Sequence, residues 1–552
     1  MQAIDYQKQV EKWGVLEVTA RGVSTGNPFT ERYIRGVFSG KNETVTADGF
    51  YDGDGVYKVR FMPSFEGAYT FRLEGNFAQD KAAGASGDTA QGEAAAQDET
   101  TGASAGAVHG EMVGAANAAA QDAFSGTFSV TAPTAGNHGP VRVANTYHFA
   151  YEDGTPYYSI GTTCYVWELQ SDERIRQTFE SLQKSAFNKI RFCIFPKHYD
   201  YNLGEPRSYP YEGTPMDSGV LTKENFSEYI GGQKGGNDWD FSRFHPAHFR
   251  HIEECIVRLQ KLGIEADLIV MHPYDRWGFS RMTPEQDDLY WHYVVARFAA
   301  YRNVWWSLAN EYDLMDKTIG DWERYAQILC EKDPYGRLRS IHNCRAFYDH
   351  SRPWITHCSV QRTDMYLSAE QADQWRERYQ KPVIFDEIMY EGNIQHSWGN
   401  ISGEEMTRRF WEAACRGAYP GHGETYLNDD EVLWWSHGGP LRGESWKRFR
   451  LLLDILHETP GIGLRPNPDG RRGFDGLCAV PEDITKSGYY LVYYGRQRPS
   501  FRDFDLGDDS EYAVKVIDTW NMTVEERGTF CGKFRVTLPG REFMAVQLRR
   551  VK

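Results

Sequence analysis

The rhythm of hydrophobic and polar positions changes twice along the chain. Up to about residue 77, short runs at 13–20, 33–38 and 56–62 alternate apolar with polar positions, with Gly, Asn and Asp between them. That period of two predicts strands with one face in a core and one in water. Residues 63–75 read as a turn followed by an outer strand of a β-sandwich, and 124–132 as another strand. From about residue 134, apolar runs alternate with segments of helical spacing. Strands are predicted over 157–167, 189–195, 265–272, 304–311, 339–343, 355–361, 382–387 and 418–426. Helices are predicted between them over 172–185, 248–262, 284–301, 322–330, 369–379 and 403–416. After a further helix over 445–457, strand patterning returns at 489–494, 512–518, 532–538 and 543–548.

Repeated βα steps of this kind predict a (β/α)₈ TIM barrel with long loops. No glycine-rich phosphate loop follows strand one, which counts against an open doubly wound sheet. The expected fold class is therefore multidomain: α/β plus all-β, a TIM barrel flanked by amino- and carboxyl-terminal β-sandwiches. The expected boundaries are 1–133, 134–458 and 459–552. Residues 78–123 break the first pattern, being rich in Ala, Gly and Gln with no aromatic, Leu or Ile. Such a stretch buries too little apolar surface to offset its ordering entropy and is expected to be an inserted flexible loop. The loop 197–241, rich in Tyr, Gly and Pro, is long enough to be expected to wall a pocket.

Composition narrows the partner. The net charge of −16 argues against nucleic acid and against an anionic membrane surface, both of which need a basic face. Aromatic residues make up 14% of the 552 positions, with 16 Trp and 33 Tyr, which leans toward sugar-stacking platforms as well as aromatic cores. The nine cysteines are scattered singly, without CxxC or zinc spacing, as expected for reduced thiols in a cytoplasmic protein. The amino terminus shows no signal-peptide pattern and no apolar stretch reaches membrane-spanning length. Oligomeric state is left open.

Two segments carry the chemistry. VWWSLANEYD, 304–313, and PVIFDE, 382–387, are apolar runs that end in a carboxylate, at Glu311 and Glu387, on the predicted strands four and seven. Catalytic groups of such barrels sit at the carboxyl-terminal strand ends, and two carboxylates are the chemical minimum for cleaving a glycosidic bond. The expected partner is an oligosaccharide or glycoside, with no cofactor and no metal, since HExxH and close His/Cys spacings are absent. Asn310, just before Glu311, is placed to hydrogen-bond the sugar hydroxyl beside the anomeric carbon. Further candidates for substrate binding are Trp167 ending strand one, His198 after strand two, His272 ending strand three and Gln361 ending strand six. His422 and Glu424 lie near strand eight, and Trp434 and Trp435 follow it, any of these tryptophans being able to stack under the sugar; His396 and Trp398 are candidates for a cover over the substrate.

Asn-Glu closing strand four and Glu closing strand seven resemble the glycoside hydrolases of clan A. The three-part layout resembles the bacterial branch of apiosidase-like proteins and candidate endoglucanases, over nearly all of the chain outside 78–123. The resemblance implies a retaining mechanism, with Glu311 as acid/base and Glu387 as nucleophile. It implies that Arg191 on strand two lies beneath the nucleophile, and that a Tyr stands beside it, for which Tyr366 and Tyr390 are both candidates. Short β-linked oligosaccharides and exo-action are the expectation. A transglycosidase with the same carboxylates and a non-catalytic carbohydrate-binding barrel are the alternatives.

Overall fold

A computed structural model describes residues 4–78, 124–232, 234–470, 474–507 and 509–551. The expected insert, apart from Ala78, lies outside the described residues. Among them the centre is a parallel barrel of eight strands: β1 Gly161–Thr163, β2 Lys189–Cys193, β3 Glu265–Met271, β4 Val304–Ala309, β5 Arg339–Ser340, β6 Cys358–Gln361, β7 Val383–Glu387 and β8 Tyr419–His422. Ladders join them in the order β5-β4-β3-β2-β1-β8-β7-β6. A single parallel bridge, His342 to Ser359, joins the two outer strands and completes the circle.

These strands are buried on both faces, as parallel strands under a helical layer must be; β2 to β4 and β7 are buried at every residue. The outer layer is built by α1 Asp172–Lys184, α2 Pro246–Lys261, α3 Pro284–Phe298, α4 Ile319–Lys332, α5 Ala372–Tyr379, α6 Gly403–Cys415 and α7 Phe449–His457. Their starts follow local chemistry: Ser171, Thr283, Thr318 and Ser402 each accept a hydrogen bond from a first-turn backbone N–H. Every helix and strand predicted in the barrel region is present. The strands are shorter than their apolar runs, because loops crossing the mouth are apolar too. The long loop after β2 carries a hairpin of its own, Tyr211–Thr214 against Asp238–Phe244.

Inside the barrel, alternate positions point to the axis, and several are charged. Lys189 of β2 donates to Asp267 of β3 at 2.7 Å and to Asp386 of β7 at 2.6 Å. Burial opposes that charge on Asp386, but Lys189 and Arg191 outweigh it and hold the carboxyl well below its usual range. A paired ionic layer therefore floors the mouth.

Two antiparallel-rich sheets precede the barrel. One pairs Leu16–Arg21 with Ile4–Tyr6 and Val56–Phe61; the other runs Ser125–Thr131, Gly67–Gly75, Ile34–Gly40 and Thr44–Asp48. Their inner faces meet, with Phe38 stacked on Phe61 at 4.5 Å. Beyond the barrel, a six-stranded sheet including Tyr489–Tyr493, Glu511–Asp518 and Met544–Arg550 packs with the pair Phe501–Asp505 and Lys533–Thr537 around a separate apolar cluster. Strands Leu477–Pro481 and Thr523–Cys531 were not foreseen, the latter because it is exposed nearly throughout and has no buried period. All nine cysteines are unbridged. Among the described residues no helix is long and apolar enough to cross a membrane.

Candidate active site

Glu311 and Glu387 come from opposite sides of the ring and both are nearly sealed, at 5% and 4% exposure. Glu387 is the last residue of β7. A shift in the β6–β7 register between Ser359 and Gln361 lets consecutive residues Asp386 and Glu387 both serve the interior, which plain alternation would forbid. Glu311 lies just past β4 with φ 51° and ψ 56°, a left-handed conformation uncommon for a residue with a Cβ.

Their surroundings differ sharply. The Tyr165 hydroxyl donates to Glu387 Oε1, and the Gln361 amide donates to Oε2 at 3.1 Å. Arg191 Nη1 and His342 Nε2 each stand 3.6 Å from Oε1. Burial would raise this carboxyl, but His342, Arg191 and the Tyr165 hydrogen bond overcome it and hold the group at about 2. Glu311 has no ion-pair partner among the described residues; it accepts from the Tyr274 hydroxyl and, at 3.3 Å, from Asn310 Nδ2. Burial first, and then the charge of Glu387, push Glu311 above the usual carboxylate range. The two carboxyls are thus set apart in acidity, Glu387 shifted down and Glu311 shifted up.

Several of the expected residues gather here. Arg191 lies beneath Glu387 and donates to Asn310 Oδ1 at 2.8 Å, which turns the Asn310 amide NH₂ toward Glu311. Gln361 touches the nucleophile candidate directly. His272 follows β3 with Nε2 3.3 Å from the Phe195 carbonyl and Nδ1 without a partner; burial and then Lys197 drive it down to about 3, so it is a neutral ring. His198 is likewise buried, with Nε2 3.0 Å from the Phe226 carbonyl, and braces the loop after β2.

Besides His198, three further expected residues are not brought to the carboxylates. Thr162 is level with Ile190 on the outward face of the barrel, and both His422 Nδ1, at 3.1 Å, and Trp434 Nε1, at 2.8 Å, bond to its hydroxyl. His422 and Trp434 therefore pack outside the strands, beside Phe187, which also meets Phe449 of α7. Trp167 packs edge-on against Phe179 of α1 and against Phe192, again in the outer layer. The neighbour Trp435, not Trp434, faces Tyr165 at 5.7 Å and Trp398 at 5.1 Å, in a cluster with Tyr390 and Tyr199 that walls the mouth. His396 stacks on Trp398 and contacts Asp200 at 3.1 Å. The tyrosine on the nucleophile candidate is neither of the two expected: Tyr366 is 89% exposed, Tyr390 is a buried neighbour, and Tyr165 makes the bond.

Tyr165, Tyr274, His342 and Lys197 escaped the sequence reading. They sit in strand-end loops with no periodic signal, and Tyr165 meets Glu387 across 222 positions of chain.

One group among the described residues, Glu391, His422 and Glu424, has metal-like spacing. Its carboxylates are already occupied. Glu391 accepts from Glu444 N at 2.7 Å, Ser445 N at 3.0 Å and the Tyr426 hydroxyl at 3.0 Å; Glu424 accepts from Arg442 N and, at 2.9 Å, from Gly443 N. Burial, reinforced by Glu391, lifts Glu424 to about 8, and the two carboxylates clasp residues 442–445.

With this geometry in place, comparison with known proteins decides the family. A model described as "Apiosidase-like, catalytic domain" matches residues 143–449. The chain belongs to the apiosidase-like family. It is a glycoside hydrolase built on a (β/α)₈ barrel. Two models described only as domains of unknown function match residues 9–76 and 478–549 of this apiosidase-like chain. A candidate glycoside hydrolase from Bacteroides vulgatus ATCC 8482 is 33% identical, with TM-score 0.83, over 99% of this chain and 100% of its own. A family 5 glycoside hydrolase from the same organism is 14% identical, with TM-score 0.56, over 75% of this chain and 93% of its own, and shares the fold. No curated protein matches the chain.

Proposed function

We propose that this apiosidase-like chain is a retaining glycosidase in which Glu387 is the nucleophile and Glu311 the acid/base. The observation that carries the reading is the unequal setting of the two buried carboxyls. Glu387 is surrounded by hydrogen-bond donors and a guanidinium, while Glu311 has no ion-pair partner among the described residues and feels the neighbouring anion more strongly than the charge of Lys197.

In the first step Glu311 gives its proton to the leaving oxygen as a Glu387 oxygen attacks the anomeric carbon and the glycosidic bond breaks. Oε1 is held by Tyr165 and faces Arg191 and His342, so Oε2, which has only the Gln361 amide, is the oxygen free to attack. Esterification removes the charge of Glu387, and with it one upward push on Glu311. That group can then take a proton from water, which attacks the anomeric carbon and releases Glu387. Asn310, oriented by Arg191, is positioned for the hydroxyl next to the anomeric carbon.

Exo-action on β-linked oligosaccharides is the favoured mode. Both carboxylates are nearly sealed, beside the cluster of Tyr165, Tyr390 and Trp435, which suits a chain end better than a chain interior.

The test is a panel of aryl glycosides and plant oligosaccharides, assayed with wild type and Glu387→Ala. Wild-type turnover, loss in the variant by at least about 10⁴-fold and recovery with azide are expected. Undiminished turnover by Glu387→Ala would remove the nucleophile assignment.

A further inference from the structure

Lys197 is the buried cation of the site for which the proposed double displacement has no task. It follows β2, is nearly sealed, and its ammonium sits among aromatic faces: 3.4 Å from the Tyr165 ring centre, 4.5 Å from Tyr274, 4.5 Å from Trp435 and 5.7 Å from Tyr199. Two of these rings are the tyrosines whose hydroxyls hold Glu387 and Glu311. The amine therefore lies beside the tyrosines that hold both carboxylates, close enough for its charge to act on each. Aromatic faces hold a cation by their quadrupoles but accept none of its hydrogen bonds. Among the described residues Lys197 forms no hydrogen bond or ion pair, and its nitrogen is absent from the polar atoms that are both sealed and unpartnered. Three donors are thus held among aromatic faces with no acceptor supplied among the described residues.

A buried ammonium without acceptors is unfavourable unless a ligand completes it. Building on the glycosidase reading, we propose that Lys197 is a substrate-binding, specificity-determining residue that donates to an oxygen substituent of the sugar in the cleaved site. A hydroxyl and a carboxylate share the required acceptor chemistry. The charge state of the cage agrees. Burial lowers Lys197 to about 8, with Arg191 adding to the fall, while Cys193, Glu311 and Glu387 pull the other way. His272 also faces it, as a neutral ring. An acceptor on the sugar would restore the proton's hold, so binding weakens as pH rises through the free-enzyme value.

The experiment compares wild type, Lys197→Met and Lys197→Gln on the best glycoside of the panel, on its monodeoxy analogues, and on the analogue with a carboxylate at the same ring position. Melting temperature serves as the control for folding. Lys197→Met is expected to lower kcat/KM about 10- to 100-fold, the worth of a charged hydrogen bond, mainly through KM. It should also abolish the alkaline rise of KM, with Lys197→Gln recovering part of the loss. One deoxy analogue should be as poor for wild type as the parent is for Lys197→Met, with no further loss when the two changes are combined. Wild-type preference for the carboxylate analogue would identify the acceptor as an acid; preference for the parent identifies a hydroxyl. Equal losses for every deoxy analogue in wild type and Lys197→Met, with KM unchanged at all pH values, would overturn the proposal. Glu387→Ala with azide tests the two-carboxylate reading separately and does not involve Lys197.

Discussion

At the scale of single residues, the division of labour between two glutamates comes down to hydroxyls and nitrogens within hydrogen-bond or ion-pair reach. Tyr165 acts after His342 and Arg191 in keeping Glu387 ionised, and its hydroxyl is the one that donates to Oε1. Tyr165→Phe removes that donor without opening a cavity. The folded pKa of Glu387, about 2, should rise toward the ordinary 4.5. Because the nucleophile must be ionised, the acid limb of kcat/KM should move to higher pH, with a fall of about 10- to 100-fold in acid and little change at neutral pH, where the carboxylate stays ionised. A pH–rate profile superimposable on wild type would show that the hydroxyl does not support the anion. The same residues mark what was legible. Glu311 and Glu387 could be found because an apolar run that stops at a carboxylate is visible in one dimension. Trp434 and His422 were misplaced because proximity to a strand end does not say which face a side chain takes, and one position separates Trp434 in the outer layer from Trp435 in the aromatic wall.

At the scale of elements, β5 and β6 are the weakest part of the ring and also its most informative. β5 has two residues and β6 four, and their pairing beyond them rests on His342 and Ser359. His342 Nδ1 lies 2.9 Å from Ser359 Oγ, and the Ser359 hydroxyl donates to Asp386 at 2.5 Å. This chain of contacts aims His342 Nε2 at Glu387. Ser359→Ala should let the imidazole turn and cut kcat about tenfold with KM little changed, since a positioning contact is lost and not a sugar contact. Equal kcat in the variant would assign the imidazole's orientation to packing alone. The periodicity of the chain foretold the existence of these strands but not their brevity, because apolar loop residues extend the same pattern past the last ladder bond.

For the whole molecule, the amino-terminal sheets are fastened to the barrel by buried charge. Arg60 donates to both oxygens of Glu253 on α2, at 2.6 and 2.9 Å. Arg297 on α3 donates to the same carboxylate at 2.6 Å and to Asp52 at 2.8 Å. Burial opposes the Glu253 charge, but Arg297 and Arg60 prevail and bring it to about 2. A depressed carboxyl contributes stability that is complete above its unfolded value and lost as pH falls through its folded one. The contribution should therefore fade between about pH 4.5 and pH 2. Glu253→Ala strands two guanidinium groups and should cost about 3–5 kcal/mol, seen as a lower melting temperature at neutral pH that converges on wild type in acid. A constant difference across that window would mean that packing, not charge, makes the joint. None of this network was legible in the sequence, because Arg60 and Arg297 stand 237 positions apart and only the docked sheets bring them together.

The place where the ring meets itself has a further consequence. The bridge that completes the circle uses the very residue whose imidazole faces the nucleophile. Assembly and competence therefore share a latch. A molecule whose last seam stays ajar keeps its helices, its flanking sheets and most of its ladder, yet presents Glu387 without one of its supports. Anything that grips Glu387 should, by mass action, draw the seam shut. A tight inhibitor ought to slow amide exchange at residues 339–343 and 358–361, and the fraction of active molecules in a preparation would then report how many rings are closed.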